Sequence, residues 1–151
     1  MRELYFSQLL PISLDEAWSF FSNPDNLKHI TPSHMGFVVT SSHHGNRMYA
    51  GQIIRYIVRP LWGLPLKWCT EITHVIDNKY FIDEQRFGPY AFWHHQHHFT
   101  VQNGGVLMED ILHYKVPFGI LGNLVDRMVV NREVNTIFAY RRKVLAERFR
   151  T

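Results

Sequence analysis

The stretch "WHHQHHFTVQNGGVLMEDILHYKV", residues 93–116, holds five of the chain's ten histidines, four of them before one strong turn signal, and its pairing decides the fold. Asn103-Gly104 lies between two β-patterned runs and is a favoured two-residue hairpin connection. The stretch therefore folds back on itself, as strands over 93–102 and 105–116. With Asn103 and Gly104 as the turn residues, Gln102 stands opposite Gly105, Phe99 opposite Met108, His97 opposite Asp110, His95 opposite Leu112 and Trp93 opposite Tyr114. Directly opposed residues carry Cβ atoms roughly 4.5–5.5 Å apart, within side-chain hydrogen-bonding reach. Strand side chains alternate between faces, which puts Trp93, His95, His97 and Phe99 together and His94, Gln96, His98 and Thr100 on the other side. Trp93 and Phe99 mark the first face as interior. The expectation is an inward His97–Asp110 couple flanked by aromatics, with His95 as its neighbour and His94 and His98 in solvent. Four-histidine coordination is excluded.

Outward from this hairpin, residues 37–43, 49–59, 66–76 and 79–87 read as further strands, and residues 2–10 as a first one. Between them "SLDEAWSFFSN" opens with a capping box, Ser13 with Glu16 three residues on. Asn23-Pro24 starts a second short helix, because Pro is tolerated at the first helical position. After "PFGILGN" the period becomes helical. Leu121, Leu124, Val125, Met128, Val129, Ile137, Phe138, Val144 and Leu145 form one broad apolar stripe, which predicts a long helix from about residue 120 to 148. The order of elements is α+β: a curled antiparallel sheet closing over a long C-terminal helix, with two short helices after the first strand. The whole chain, 1–151, reads as one domain.

Composition limits the function classes. Hydrophobic residues are 46% and charged residues 19%, which argues against disorder, and eleven Phe, seven Tyr and four Trp could wall an apolar cavity. The net charge of +3 gathers in the last segment, where Arg127, Arg132, Arg141, Arg142, Lys143, Arg148 and Arg150 read as a solvated helix face. No run of like charge suits nucleic acid. Membrane spans need about 20 apolar residues, and no run approaches that. A single cysteine, Cys69, and the lack of a signal-peptide core at the start fit a soluble cytoplasmic protein.

Three longer stretches carry a likeness to known proteins. "LPISLDEAWSFFSNPDNLKHITP" (10–32), "FIDEQRFGPYAFWHHQHHF" (81–99) and "MEDILHYKVPFGILG" (108–122), with "IFAYRRKVL" (137–145), resemble a bacterial ligand-binding branch of the START/polyketide-cyclase superfamily, often written SRPBCC. The branch pattern Trp-x-His-x-His-x-Phe falls on Trp93, His95, His97 and Phe99, and Met-x-Asp-x-x-x-Tyr on Met108, Asp110 and Tyr114. The resemblance implies a helix-grip fold with a cavity between sheet and last helix, holding an apolar or aromatic small molecule or lipid. It also favours Gln85 turned inward. It brings no catalytic residue with it.

The expected cavity residues are Trp68, Gln85, Trp93, His95, His97, Phe99, Met108, Asp110, Tyr114, Val125 and Met128. Arg55 and Arg59 lie on the opposite strand face from Ile54, Tyr56 and Val58 and read as solvated. Three readings of the inward couple stay open. It can be a buried polar pair that satisfies itself. It can be the polar anchor of a ligand. Or His95, His97 and Asp110 can be a two-histidine, one-carboxylate metal set. Against the metal, His95 and His97 lie about 6.6 Å apart along a strand and the HExxH spacing is absent, so neither metal nor other cofactor is expected. The functional expectation is sequestration or transport of an apolar small molecule. The alternative is a cyclase- or dehydratase-type enzyme in which His97, oriented by Asp110, acts as general base. No partner protein is named by the sequence. A third class, association through the basic terminal helix, would show itself in salt dependence.

Overall fold

The computed structural model describes residues 1–41, 47–59 and 63–150. Its central hairpin has the register that alternation and turn dictate. Strands β6 (Phe92–Gln102) and β7 (Gly105–Lys115) pair with Gln102 opposite Gly105, His97 opposite Asp110 and Trp93 opposite Tyr114. Positive φ falls on Gly104 (90°) and Gly105 (145°). A Cβ at Gly105 would sit 1.9 Å from the Leu10 carbonyl oxygen, so the chain needs glycine there.

The other strands are β1 (Arg2–Leu10), β2 (Val38–Val39), β3 (Gln52–Val58), β4 (Leu66–Ile76) and β5 (Tyr80–Phe87). They form a seven-stranded antiparallel sheet in the order β1-β7-β6-β5-β4-β3-β2. The strand expected over 37–43 is reduced to Val38–Val39 among the described residues, and 42–46 lie outside them. Helix α1 (Leu14–Phe21) starts on the expected capping box: Ser13 Oγ accepts from Glu16 N, and Glu16 Oε2 accepts from Ser13 N. A 3₁₀ turn over Pro24–Ile30 follows, capped by Asn23.

Alternation buries one face of the sheet. Phe81, Phe99, Val106 and Met108 pack with Leu10, Ala17, Trp18, Phe21 and Leu145 in a core that α1 closes. Trp18 meets both Phe81 and Phe99 edge-on, at ring-centroid distances of 6.1 Å and 5.7 Å, a favoured arrangement for aromatic pairs.

The C-terminal helix differs in phase from the sequence expectation. It runs as α2 (Gly119–Val125), a π-turn (Asp126–Val130) and α3 (Asn131–Arg148). The buried positions are Gly122, Asp126, Val134, Phe138, Arg141 and Leu145, whereas Leu121, Leu124, Val125 and Met128 are exposed. The cause is the π-turn. Its i→i+5 bonding takes in one residue more than an α-turn and rotates everything before it by about 100°. The polar side chain of Asp126 thereby turns inward, where it accepts a hydrogen bond from Tyr114 Oη at 2.7 Å and another from Arg2 Nε. Gly122 follows from the same close approach: a Cβ would lie 1.8 Å from the Pro117 carbonyl oxygen.

Candidate functional site

A cavity of about 580 Å³ lies between the concave sheet face and the C-terminal helix. Its wall is largely aromatic. Tyr56 and Trp68 stack with centroids 5.7 Å apart, Trp68 meets Trp93 edge-on at 5.1 Å, and Tyr90 tilts against Trp93 at 4.8 Å. The polar atoms of these rings are largely engaged. Trp68 Nε1 donates to Thr70 Oγ1 at 3.0 Å, Tyr56 Oη shares a 2.7 Å bond with the same hydroxyl, and Trp93 Nε1 donates to Asp83 Oδ1 at 3.2 Å. The wall therefore shows mostly apolar ring surface to the cavity.

Of the residues expected around the cavity, Trp68, Trp93, His95, His97 and Val125 line it. Six do not: Asp110 lies beneath the cavity floor, and five others stand elsewhere. Phe99 and Met108 belong to the core under α1, because that end of the face is filled by Trp18 and Phe21. Tyr114 is fully buried in a cluster with Leu112, Val134 and Phe138, where burial and Asp126 both push its phenol pKa up. Met128 is 68% exposed through the phase change of the helix. Gln85 turns to the backbone of Tyr90, donating to its carbonyl at 2.7 Å and accepting from its N–H at 3.2 Å. A Cβ on Gly88 would stand 2.4 Å from Gln85 Oε1, so that staple depends on a glycine.

Asp110 is 1% exposed and forms the base of a polar floor. His95 Nε2 donates to Asp110 Oδ1 at 3.0 Å, and His97 Nδ1 approaches the same oxygen at 2.8 Å but out of line for a hydrogen bond. The carboxylate that His97 bonds in line is Asp83: Nε2 lies 2.9 Å from Oδ2. His95 Nδ1 is 3.4 Å from that oxygen. The expected His97–Asp110 couple is thus present in register and in contact, as part of a four-membered cluster. Burial alone would raise both carboxyl pKa values, but the two imidazoles outweigh it and hold Asp83 and Asp110 well below the usual carboxylate range. Burial alone would lower His95, and the two carboxylates outweigh it and hold its pKa above the ordinary histidine value. The ring of His97 stacks on Phe81 at 4.2 Å, which fixes its plane.

His94 and His98 point to the convex side as expected, half-buried rather than free: His94 Nδ1 lies 2.7 Å from Glu84 Oε1, and His98 Nε2 lies 3.0 Å from Gln96 Oε1. Arg55 and Arg59 are exposed.

Two site residues escape the sequence reading. Asp83 shares a face with Phe81 by alternation, but the link from β5 to β6 has no regular turn to fix what it meets. Arg141 reads from sequence as one of the solvated charges. It is 8% exposed, lines the cavity, stands over the Phe138 ring at 4.8 Å and reaches Asp110 at 3.7 Å. Its signal is legible: Val134, Phe138, Arg141 and Leu145 share one helical stripe.

No family model matches the chain, and no curated protein matches it in sequence. Solved structures do match in shape. A protein of Thermus thermophilus is 17% identical, with a TM-score of 0.74 over 98% of this chain and 97% of that one. A START superfamily protein of Mycobacterium smegmatis is 13% identical, with a TM-score of 0.71 over 97% and 96%. The fold is the helix-grip fold. A Chromobacterium violaceum protein shares it at 12% identity and a TM-score of 0.71, covering 97% and 96%. In this helix-grip chain, no helix among the described residues is long and apolar enough to cross a membrane.

Proposed function

We propose that the protein binds an apolar or aromatic small molecule, or a lipid, in the cavity between sheet and C-terminal helix, to sequester or carry it. The observation that carries this reading is the wall of Tyr56, Trp68, Tyr90 and Trp93, whose polar atoms are mostly engaged within the protein. Such a wall rewards flat apolar surface and offers little to a polar solute. The volume of about 580 Å³ is that of a small-molecule site. Polar recognition is confined to the floor, where His95, His97, Asp83 and Arg141 can orient one end of the ligand. The START-superfamily neighbour supports a ligand-binding role by analogy of fold. A general base needs a free ring nitrogen, and His97 has both nitrogens against carboxylates, so the enzymatic alternative gains nothing from the geometry.

Native mass spectrometry of the purified protein, followed by extraction of the bound molecule, tests the proposal. One apolar small molecule per chain is expected, and a fluorescent naphthalene-sulfonate probe should compete for the same place. Trp68→Ala should weaken probe binding about tenfold, the loss of one aromatic contact. Probe binding that ignores substitution at both Trp68 and Trp93 would remove the reading.

A further inference from the structure

The two carboxylates of the floor serve the imidazoles from opposite sides. Asp110 lies behind the rings and does not line the cavity, while Asp83, His95 and His97 all do. Each imidazole turns one nitrogen toward Asp110 and the other toward Asp83. The Asp83-facing distances are 2.9 Å for His97 Nε2 and 3.4 Å for His95 Nδ1. One donor atom from each of Asp83, His95 and His97 lies within 4.8 Å of the others.

We propose that Asp83, His95 and His97 bind one divalent first-row transition cation, with Asp110 accepting the remaining N–H of the two imidazoles from behind. Ligands held at about 2.0–2.2 Å from a metal stand about 3.0–3.5 Å from one another. The two separations to Asp83 are close to that spacing, and all three donors lie within 4.8 Å of one another. Two imidazoles and one carboxylate are the donor set such cations accept, and three protein ligands leave coordination positions open toward the cavity. Metal-bound histidines commonly give their second N–H to a carboxylate, and Asp110 stands at both second nitrogens. Trp93 Nε1, which donates to Asp83 Oδ1, orients the third ligand and leaves Oδ2 to the metal. On binding, the cation replaces the protons between Asp83 and the two rings, and these pass to solvent. The sequence offers Asp110 as the third ligand of a metal set. The fold supplies Asp83 instead and gives Asp110 the supporting place.

The inference stands apart from the apolar-ligand reading, since cation binding is measured without any organic ligand. Tag-free, chelator-stripped full-length protein is titrated with cobalt(II) and zinc(II) by calorimetry, with visible absorption recorded for cobalt. Expected are one cation per chain, a cobalt ligand-field band, and displacement of cobalt by zinc. Asp83→Asn and His95→Gln should abolish the band, and Asp110→Asn should weaken affinity about 10- to 100-fold. His94→Gln and His98→Gln, on the convex side, should change nothing. Wild-type protein that takes up no stoichiometric cobalt or zinc overturns the proposal, and so does binding that survives Asp83→Asn but not His94→Gln. The wild-type titration decides even where a buried variant fails to fold.

Discussion

The concave face of the sheet is one surface with two fates. Toward the α1 end, Phe99, Val106 and Met108 are covered by Trp18, Phe21 and Leu145 and become solid core. Toward the other end, Trp68 and Trp93 on the same face stay open to a cavity, because the helix opposite leaves Leu121 and Val125 exposed at its mouth instead of packing them inward. Strand chemistry is alike at both ends. What differs is the phase of the element laid across it, so the cavity is a product of the lid and not of the sheet.

The contrast can be broken first at the closed end. Trp18 is 2% exposed and its ring meets two others. Trp18→Ala should cost about 3–5 kcal/mol by denaturant unfolding. A loss below about 1 kcal/mol would mean that this end is no better packed than the cavity. Between the two ends lies the floor. Asp110→Ala leaves His95, and in part Arg141, without an acceptor, and should cost about 1–3 kcal/mol. The same change should alter the pH profile of metal-free protein. A carboxylate held below its ordinary pKa contributes stability that is present above about pH 4 and lost as pH falls toward the folded value. The acid-side decline in wild-type stability should therefore be shallower in Asp110→Ala; an unchanged slope would dissociate the carboxylate from the histidines. At the open end, Leu121 is an exposed side chain. Leu121→Ser should shift stability by no more than about 0.5 kcal/mol. A loss of several kcal/mol there would show the helix face to be covered in solution.

Where the rule in the sequence is local, the reading carries far. A two-residue turn and period-two alternation place all of β6 against β7, including His97 opposite Asp110. Asp83 escapes because β5 reaches β6 through 88–91, a connection without defined register, and β5 itself slips against β4 between Cys69 and Thr70. Cavity wall and core cannot be separated along one face, since Phe99 and Trp93 obey the same alternation and only the covering helix tells them apart. A 3.6-residue period carried through a π-turn gives the wrong helix phase from Leu121 to Met128. The inward Asp126, with Tyr114 and Arg2 as partners, comes from contacts more than ten residues away that no periodicity encodes.

The π-turn also stores one residue of chain length without spending it on phase. A helix of this kind that lost one residue between Asp126 and Val130 would regain the ordinary α-turn with Gly122 and Asp126 still facing the sheet. Leu121 and Val125 would stay at the mouth, and the aperture would keep its shape. Among chains built on this plan, one residue can come or go at that turn while the container stays open, and an ungapped comparison of helix positions would set the wrong residues side by side.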